Sequence, residues 1–248
     1  MLGKNTLKFI KSLQQKKFRK LERSFFVEGS KNVTELLHSD YLSTHLIYTD
    51  KYYLENRALV DNFRGETYLV TQKVLESMGA FKTNDSALAV AKIKEEVPFS
   101  LEQDEWIIAL DDVRDPGNLG TIIRIADWYG IKKLMLSLET ADFYNPKVLQ
   151  ASMGSFTRVE IWYTDLLEYF NDTPLDIFGA FLNGKNIYQT VFPKSGILVM
   201  GNESSGISKE LEAHVHQKIT IPRFGNAESL NVGVATAIFC DNIKRSTY

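Results

Sequence analysis

Between Glu105 and Asp112 the chain reads "EWIIALDD", an uninterrupted apolar run closed by two carboxylates. Such a run predicts a strand buried on both faces. "KKLMLSL", "FTRVEIWYT", "DIFGAFL" and "GILVMG" read as further strands, and "KITIP" alternates as a strand does. Between them, apolar residues recur at helical spacing. "NLGTIIRIADWYG" predicts a helix ending at Gly130, and "NPKVLQASMG" a second. "LNVGVATAIFCDNI" predicts a third, with Leu230, Val234, Ala237 and Ile238 on one face. Strands alternating with helices imply an α/β fold whose mostly parallel sheet is covered on both sides.

The N-terminal part carries the same alternation at smaller scale. "SFFVEG", "THLIYTD", "ETYLV" and "SALAVAKI" read as strands. "SKNVTELLHS", with Val33, Leu36 and Leu37 on one face, and "TQKVLESMG" read as helices. "KEEVPFSLEQDE" is charged, irregular and holds a proline, which reads as a linker. The expected division is residues 1–95, a linker at 96–104, and a second domain at 105–248.

Composition narrows the setting. The single cysteine, Cys240, excludes a disulfide framework and fits a reducing compartment. No apolar run approaches the roughly 20 residues of a membrane helix, and the N-terminus has no apolar signal region. A cytoplasmic location without a membrane partner is the expectation. His214 and His216 flank Val215 with no partner at metal-ligand spacing, so no metal is expected. Net charge is −2, yet residues 1–24 hold eight Lys and Arg against Glu22 alone. Such an arm is either a solvated helical face or an electrostatic handle for phosphates. Lys16, Lys17, Arg19 and Lys20 are its central candidates, with Arg114 further along.

In parallel sheets, ligands bind beyond the carboxyl ends of the strands. That rule selects three loops. The first, "DDVRDPGNLG", has turn chemistry at Asp115-Pro116-Gly117, and Asn118 suits the cap of the following helix. Arg124 lies six residues on, among apolar neighbours. The second, "GNESSG", holds Gly201, Asn202, Glu203 and Gly206. It lacks the Lys-Ser/Thr of a phosphate loop and the Gly-x-Ser-x-Gly of an esterase. The third, "IPRFGNAESLN", holds Ile221, Pro222, Gly225, Ser229, Leu230 and Asn231.

The three in this order resemble the signature motifs of the SpoU (TrmH) family of RNA 2′-O-ribose methyltransferases: N-x-G-x-x-x-R, G-x-E-x-x-G and I-P-x-x-G-x-x-x-S-L-N-V. "FRKLERSFFVEGSKNVTELL" is similar to the start of the L30e-like substrate domain many members carry. Arg223 stands where a methionine is common, and Gly233 where a serine is common. The resemblance implies a C-terminal trefoil knot, an exception to ordinary connectivity, and a homodimer. S-adenosylmethionine would lie against Gly201, Asn202, Gly206, Ile221, Pro222, Gly225 and Leu230. Asn118, Arg124, Glu203, Ser229 and Asn231 would carry methyl transfer to a ribose hydroxyl of RNA, without a metal. Arg124 would serve either as base or as electrostatic stabiliser; a guanidinium holds its proton firmly, which favours the second.

Ribosomal RNA is the expected substrate and transfer RNA the alternative. A noncatalytic RNA-binding or ribosome-assembly protein on the same fold would show a degraded motif set. A nicotinamide-dependent oxidoreductase would need a Gly-x-Gly fingerprint that "DPGNLG" does not supply.

Overall fold

The computed structural model describes residues 2–99 and 104–247; positions 100–103 of the expected linker lie outside the described residues. The chain runs α1 (Lys4–Ser12), α2 (Lys16–Glu22), β1 (Ser24–Glu28), α3 (Ser30–Leu37), β2 (Ser43–Tyr48), α4 (Asp50–Glu55), α5 (Arg57–Asp61), β3 (Glu66–Leu69), α6 (Gln72–Glu76) and β4 (Ala87–Lys92). It continues with β5 (Trp106–Leu110), α7 (Pro116–Trp128), β6 (Lys133–Leu136), α8 (Pro146–Ser152), β7 (Glu160–Tyr163), α9 (Leu166–Asp172), β8 (Ile177–Asn186), β9 (Gly196–Met200), α10 (Lys209–Glu212), β10 (Gln217–Thr220) and α11 (Val232–Thr247).

These elements form two compact units. The first comprises Met1–Glu95 with Asp142–Thr157, the second Glu96–Ala141 with Arg158–Tyr248. The first unit has a sheet in the order β1-β4-β2-β3. β1 and β2 both run antiparallel to β4, and β2 runs parallel to β3. The second has six strands in the order β10-β8-β9-β5-β6-β7, every neighbouring pair parallel.

Every residue of β1 is buried, because both of its faces are covered. Phe26 packs with Ile10 and Leu13 of the first two helices' segment. Phe25 turns the other way, 4.7 Å from Tyr144 and 6.0 Å from Phe156 between ring centroids. Those two rings explain a departure from the sequence expectation. The expected division puts "NPKVLQASMG" in the second domain, but the segment packs within the first unit. Asn32 also donates to Gln150 Oε1 at 3.0 Å. Phe156 is therefore committed to this core, and β7 begins only at Glu160.

The basic arm is neither a loose tail nor wholly solvated. α1 is amphipathic: Leu7, Ile10 and Leu13 face the core, while Lys4, Lys8 and Lys11 stay exposed at helical spacing. Arg19 corrects the arm's assignment as an RNA contact. Its side chain is 3 % exposed and ion-paired with Asp142. It also donates to the carbonyls of Leu13 and Gln14 at 2.8 and 2.9 Å. With the planar fork committed, Arg19 fixes the α1–α2 elbow and cannot reach a phosphate. Lys16, Lys17 and Lys20 remain exposed.

The second sheet is fully apolar along β5, β6 and β9 apart from buried Lys133, whose ammonium bonds Glu105 at 2.6 Å. One face meets Leu166 and Phe170 of α9 and Leu211 of α10. α11 buries a different set of positions from the apolar residues named for it in the sequence. Val232, Gly233, Thr236, Phe239, Cys240 and Ile243 are buried, whereas Val234 is exposed and Ala237 and Ile238 are half-buried. Leu230 precedes the helix. The helix thus has two apolar faces, one buried and one open. No helix among the described residues is long and apolar enough to cross a membrane.

Replacing Arg19 by Met should destabilise the first unit by about 3 kcal/mol, because it leaves Asp142 and two carbonyls without their donor. Lys17→Met, at an exposed neighbour, should stay within about 0.5 kcal/mol of wild type. Urea denaturation midpoints measure both; equal midpoints for the two variants would contradict the buried role.

Candidate active site

The carboxyl ends of β5 and β9 are neighbours in the sheet, so the loops that follow them meet. In the first loop, Asp112 adopts a left-handed backbone with φ 58°. Its N–H donates to Ser137 Oγ at 2.9 Å, and its carbonyl accepts from Asn202 Nδ2 at 2.7 Å. Asp115, rather than Asn118, caps α7: its carboxylate accepts the Asn118 N–H at 2.8 Å, and Pro116 opens the helix. The helix begins two residues upstream of the expected start, at Pro116, because proline suits the first helical position. That shift frees the Asn118 side chain.

The second loop is a tight turn. Asn202 and Gly206 exchange backbone hydrogen bonds of 3.0 Å in both directions, and Gly206 has φ 72°. A Cβ added at Gly201 would lie 2.2 Å from the backbone carbon of Gly206. Asn202 is consumed by this architecture. Its Oδ1 accepts the N–H of Ser204 at 2.8 Å, and its amide holds Asp112. Buried Asp111 accepts the Ser208 N–H at 2.7 Å and ties down the far end of the loop.

In the third loop, Asn231 caps α11, accepting from the N–H groups of Gly233 and Val234 at 2.9 and 3.3 Å. A Cβ at Gly233 would stand 3.0 Å from Thr121 of α7, so the glycine admits a close crossing of the two helices. Phe224 is 93 % exposed. Ile221 and Pro222 are half-buried, and Gly225, Ser229 and Leu230 are exposed.

One hydrogen-bond chain joins all three loops. Asn118 Nδ2 donates to Glu203 Oε1 at 2.8 Å, and Asn231 Nδ2 donates to Asn118 Oδ1 at 2.8 Å. Beside it, a cleft of about 650 Å³ is lined by Asp112, Arg114, Asp115, Pro116 and Asn202 to Ser205. Arg114 is exposed and pairs with Asp112 through a 2.6 Å bond, which pushes the Arg114 guanidinium further up from its ordinary value.

Two expected members stand apart from the chain of bonds. Ser229 makes no hydrogen bond among the described residues. Arg124 is exposed on α7, and its guanidinium has no hydrogen bond or ion pair among them. It shares its helix face with Thr121 and Trp128, at spacings of three and four. The roles of Asp111, Asp112, Asp115 and Ser137 escaped sequence reading. The carboxylate pair ending "IIALDD" is the signal for Asp111 and Asp112, the turn at Asp115-Pro116-Gly117 that for Asp115; Ser137 has none. No cluster of three or more potential metal ligands occurs among the described residues.

Comparison with known proteins adds names to this geometry. Residues 105–241 match the SpoU rRNA Methylase family, and residues 4–89 match the MRM3-like substrate binding domain. The chain is 30% identical over 239 residues to the 23S rRNA (guanosine(2553)-2'-O)-methyltransferase RlmP of Bacillus subtilis, covering 94% of each. It is similar to a solved TrmH-family protein from Porphyromonas gingivalis, with TM-score 0.86, 36% identity and 99% of both chains covered. It is also similar to the AdoMet-bound rRNA methyltransferase from Sinorhizobium meliloti, with TM-score 0.88, 29% identity, and 100% of this chain and 97% of that one covered. With its three motif loops bonded into one network and its sequence matched along more than half its length, the chain belongs to the SpoU rRNA methylase family.

Proposed function

We propose that this protein transfers a methyl group from S-adenosylmethionine to a ribose 2′-hydroxyl of ribosomal RNA. The carrying observation is the Glu203–Asn118–Asn231 chain of side-chain bonds, which fixes three motif loops around one point. Relatives named for rRNA favour that substrate over tRNA. An intact motif set argues against a noncatalytic binder. The reading implies a cytoplasmic protein.

The residues present fit the cofactor. Gly201 has no room for a side chain, because a Cβ would meet the Gly206 backbone, and the tight turn this permits suits a ligand cradle at the end of β9. Ile221, Pro222 and Leu230 offer apolar surface beside it, with Gly206 and Gly225 allowing close approach. When bound, S-adenosylmethionine supplies an electrophilic methyl group on a sulfonium. Asn118 and Asn231 orient the ribose, and Glu203 holds Asn118 in one rotamer. Arg124 fixes an RNA phosphate and stabilises the negative charge that develops on the 2′-oxygen. Ser229 contributes a hydroxyl once RNA is present. Lys16, Lys17, Lys20 and Arg114 hold phosphates elsewhere along the strand.

Two finer features belong to the same reading. A trefoil knot in the second unit is supported by the match of residues 105–241 to the SpoU family. A homodimer is supported by the open apolar face. Trp128, 83 % exposed, and half-exposed Val234 sit on two helices packed together. Arg124 lies on that same face, unpaired, where a second copy would receive it into its own site.

Calorimetry should show S-adenosylmethionine and S-adenosylhomocysteine binding and no heat with NAD, and Gly201→Ala should abolish the sulfur-ligand heat. Binding by Gly201→Ala at wild-type strength would refute the cofactor site. Arg124→Ala should keep cofactor affinity and lower kcat by about 10²–10³-fold; a loss under threefold would refute its role. Light scattering at micromolar concentration should return twice the mass of one chain, and Trp128→Glu should return one.

A further inference from the structure

The loop between α6 and β4, Ser77–Ser86, is held far more firmly than a connector needs. Gln14, in the α1–α2 elbow, donates through Nε2 to the carbonyls of Met78 and Gly79 at 3.0 and 2.9 Å. Glu28, at the end of β1, accepts the Ala80 N–H at 2.8 Å. That carboxyl is 4 % exposed, and its Oε2 has no hydrogen-bond partner. Burial pushes it up from its ordinary value, the Ala80 N–H partly offsetting this. Asn84 is buried as well, donating to the Ala87 carbonyl at 2.9 Å. Thr49 donates to the Asp85 carbonyl at 2.8 Å. A buried carboxylate with one idle oxygen destabilises the fold. Its position here sets the path of one surface loop.

The loop carries an aromatic residue and a cation side by side in the sequence. Phe81 is half-buried, and Lys82 is exposed and without an ion-pair partner among the described residues. The elbow tied to it by Gln14 repeats the pairing. Lys17 lies over the half-buried Phe18 ring, 4.7 Å from its centroid. Lys11, Lys16 and Lys20 are exposed nearby in the chain and equally unpaired. Elsewhere in the unit Lys31, Lys51 and Lys94 are paired with Glu35, Asp85 and Asp40, while Arg64, Lys73 and Lys147 are exposed without an ion pair among the described residues. The elbow and the loop differ from these in setting their free cations beside aromatic residues.

We propose that the α1–α2 elbow and the Gly79–Asn84 loop form one platform for unpaired RNA nucleotides, with Phe81 stacking on a base and Lys17 and Lys82 holding the flanking phosphates. The inference rests on the RNA reading of the previous subsection. Rings interleaved with lysines suit a single strand, because its bases are free to stack; in a duplex the base faces are hidden and only phosphates remain. Gln14 and Glu28 are positioning residues. They hold the two halves of the platform in one register.

The test uses the full chain and a fluorescein-labelled, unstructured RNA of roughly 15 nucleotides, with a duplex of equal length as comparison. Fluorescence anisotropy should show tighter binding to the single strand. Phe81→Ala should weaken that binding about 5- to 100-fold, leave the duplex within twofold, and leave the salt dependence unchanged. Phe81→Tyr should restore affinity. Lys82→Ala should lower the log–log salt slope by about 0.7. Binding by Phe81→Ala within twofold of wild type overturns the proposal. So does equal loss on both RNAs, the result expected of a simple polyanion surface. Methyl transfer is scored separately. A chain that binds the single strand as described but methylates no rRNA loses the catalytic reading and keeps this one. A chain that methylates rRNA while Phe81→Ala binds normally does the reverse.

Discussion

The side chain of Asn118 donates to one loop and accepts from another, and the whole site is oriented by that one amide. Glu203 is 85 positions away in the chain and Asn231 is 113. A carboxylate only accepts, so Glu203 forces the Asn118 amide nitrogen toward itself and the oxygen toward Asn231. Asn231 must then present its own nitrogen, which leaves its oxygen for the first N–H groups of α11. The polarity of the network, and with it the start of the last helix, follows from a single charged group.

Around this network, the sheet provides convergence and the caps provide aim. Parallel pairing of β5 with β9 delivers two loops to the same edge. Asp112, in a left-handed conformation that a non-glycine residue adopts at a cost of about 1–3 kcal/mol, is held by Ser137 and Asn202. Strain of that kind persists where neighbours over-determine it. Here Asn202 belongs to the second loop of the site, and Ser137 follows the neighbouring strand β6. Gly201 shows the same logic from the opposite side, since bare backbone is needed where another segment passes within contact distance.

The two units carry different electrostatics. The first places unpaired lysines on α1, α2 and the loop before β4, and ion-pairs Lys31, Lys51 and Lys94. The second surrounds its cleft with Asp112, Asp115 and Glu203 against Arg114. A net charge of −2 conceals this partition.

Much of this was legible in the chain. Apolar runs bounded by turns located the strands of both sheets, because burial on two faces demands such runs whatever their neighbours. The order and spacing of three small-residue loops pointed to the family and to Asn118, Glu203 and Asn231. Other features depend on contacts between residues far apart in sequence. Arg19 reads as one more arm cation until Asp142 and two carbonyls surround it. "NPKVLQASMG" reads as part of the second domain until Phe25 meets Tyr144 and Phe156. Val234, Ala237 and Ile238 have helical spacing, but spacing alone does not say which of two apolar faces the sheet will cover. Periodicity records that a side chain must be buried or solvated. Which partner does the burying is decided only when the folded chain sets its surfaces against one another.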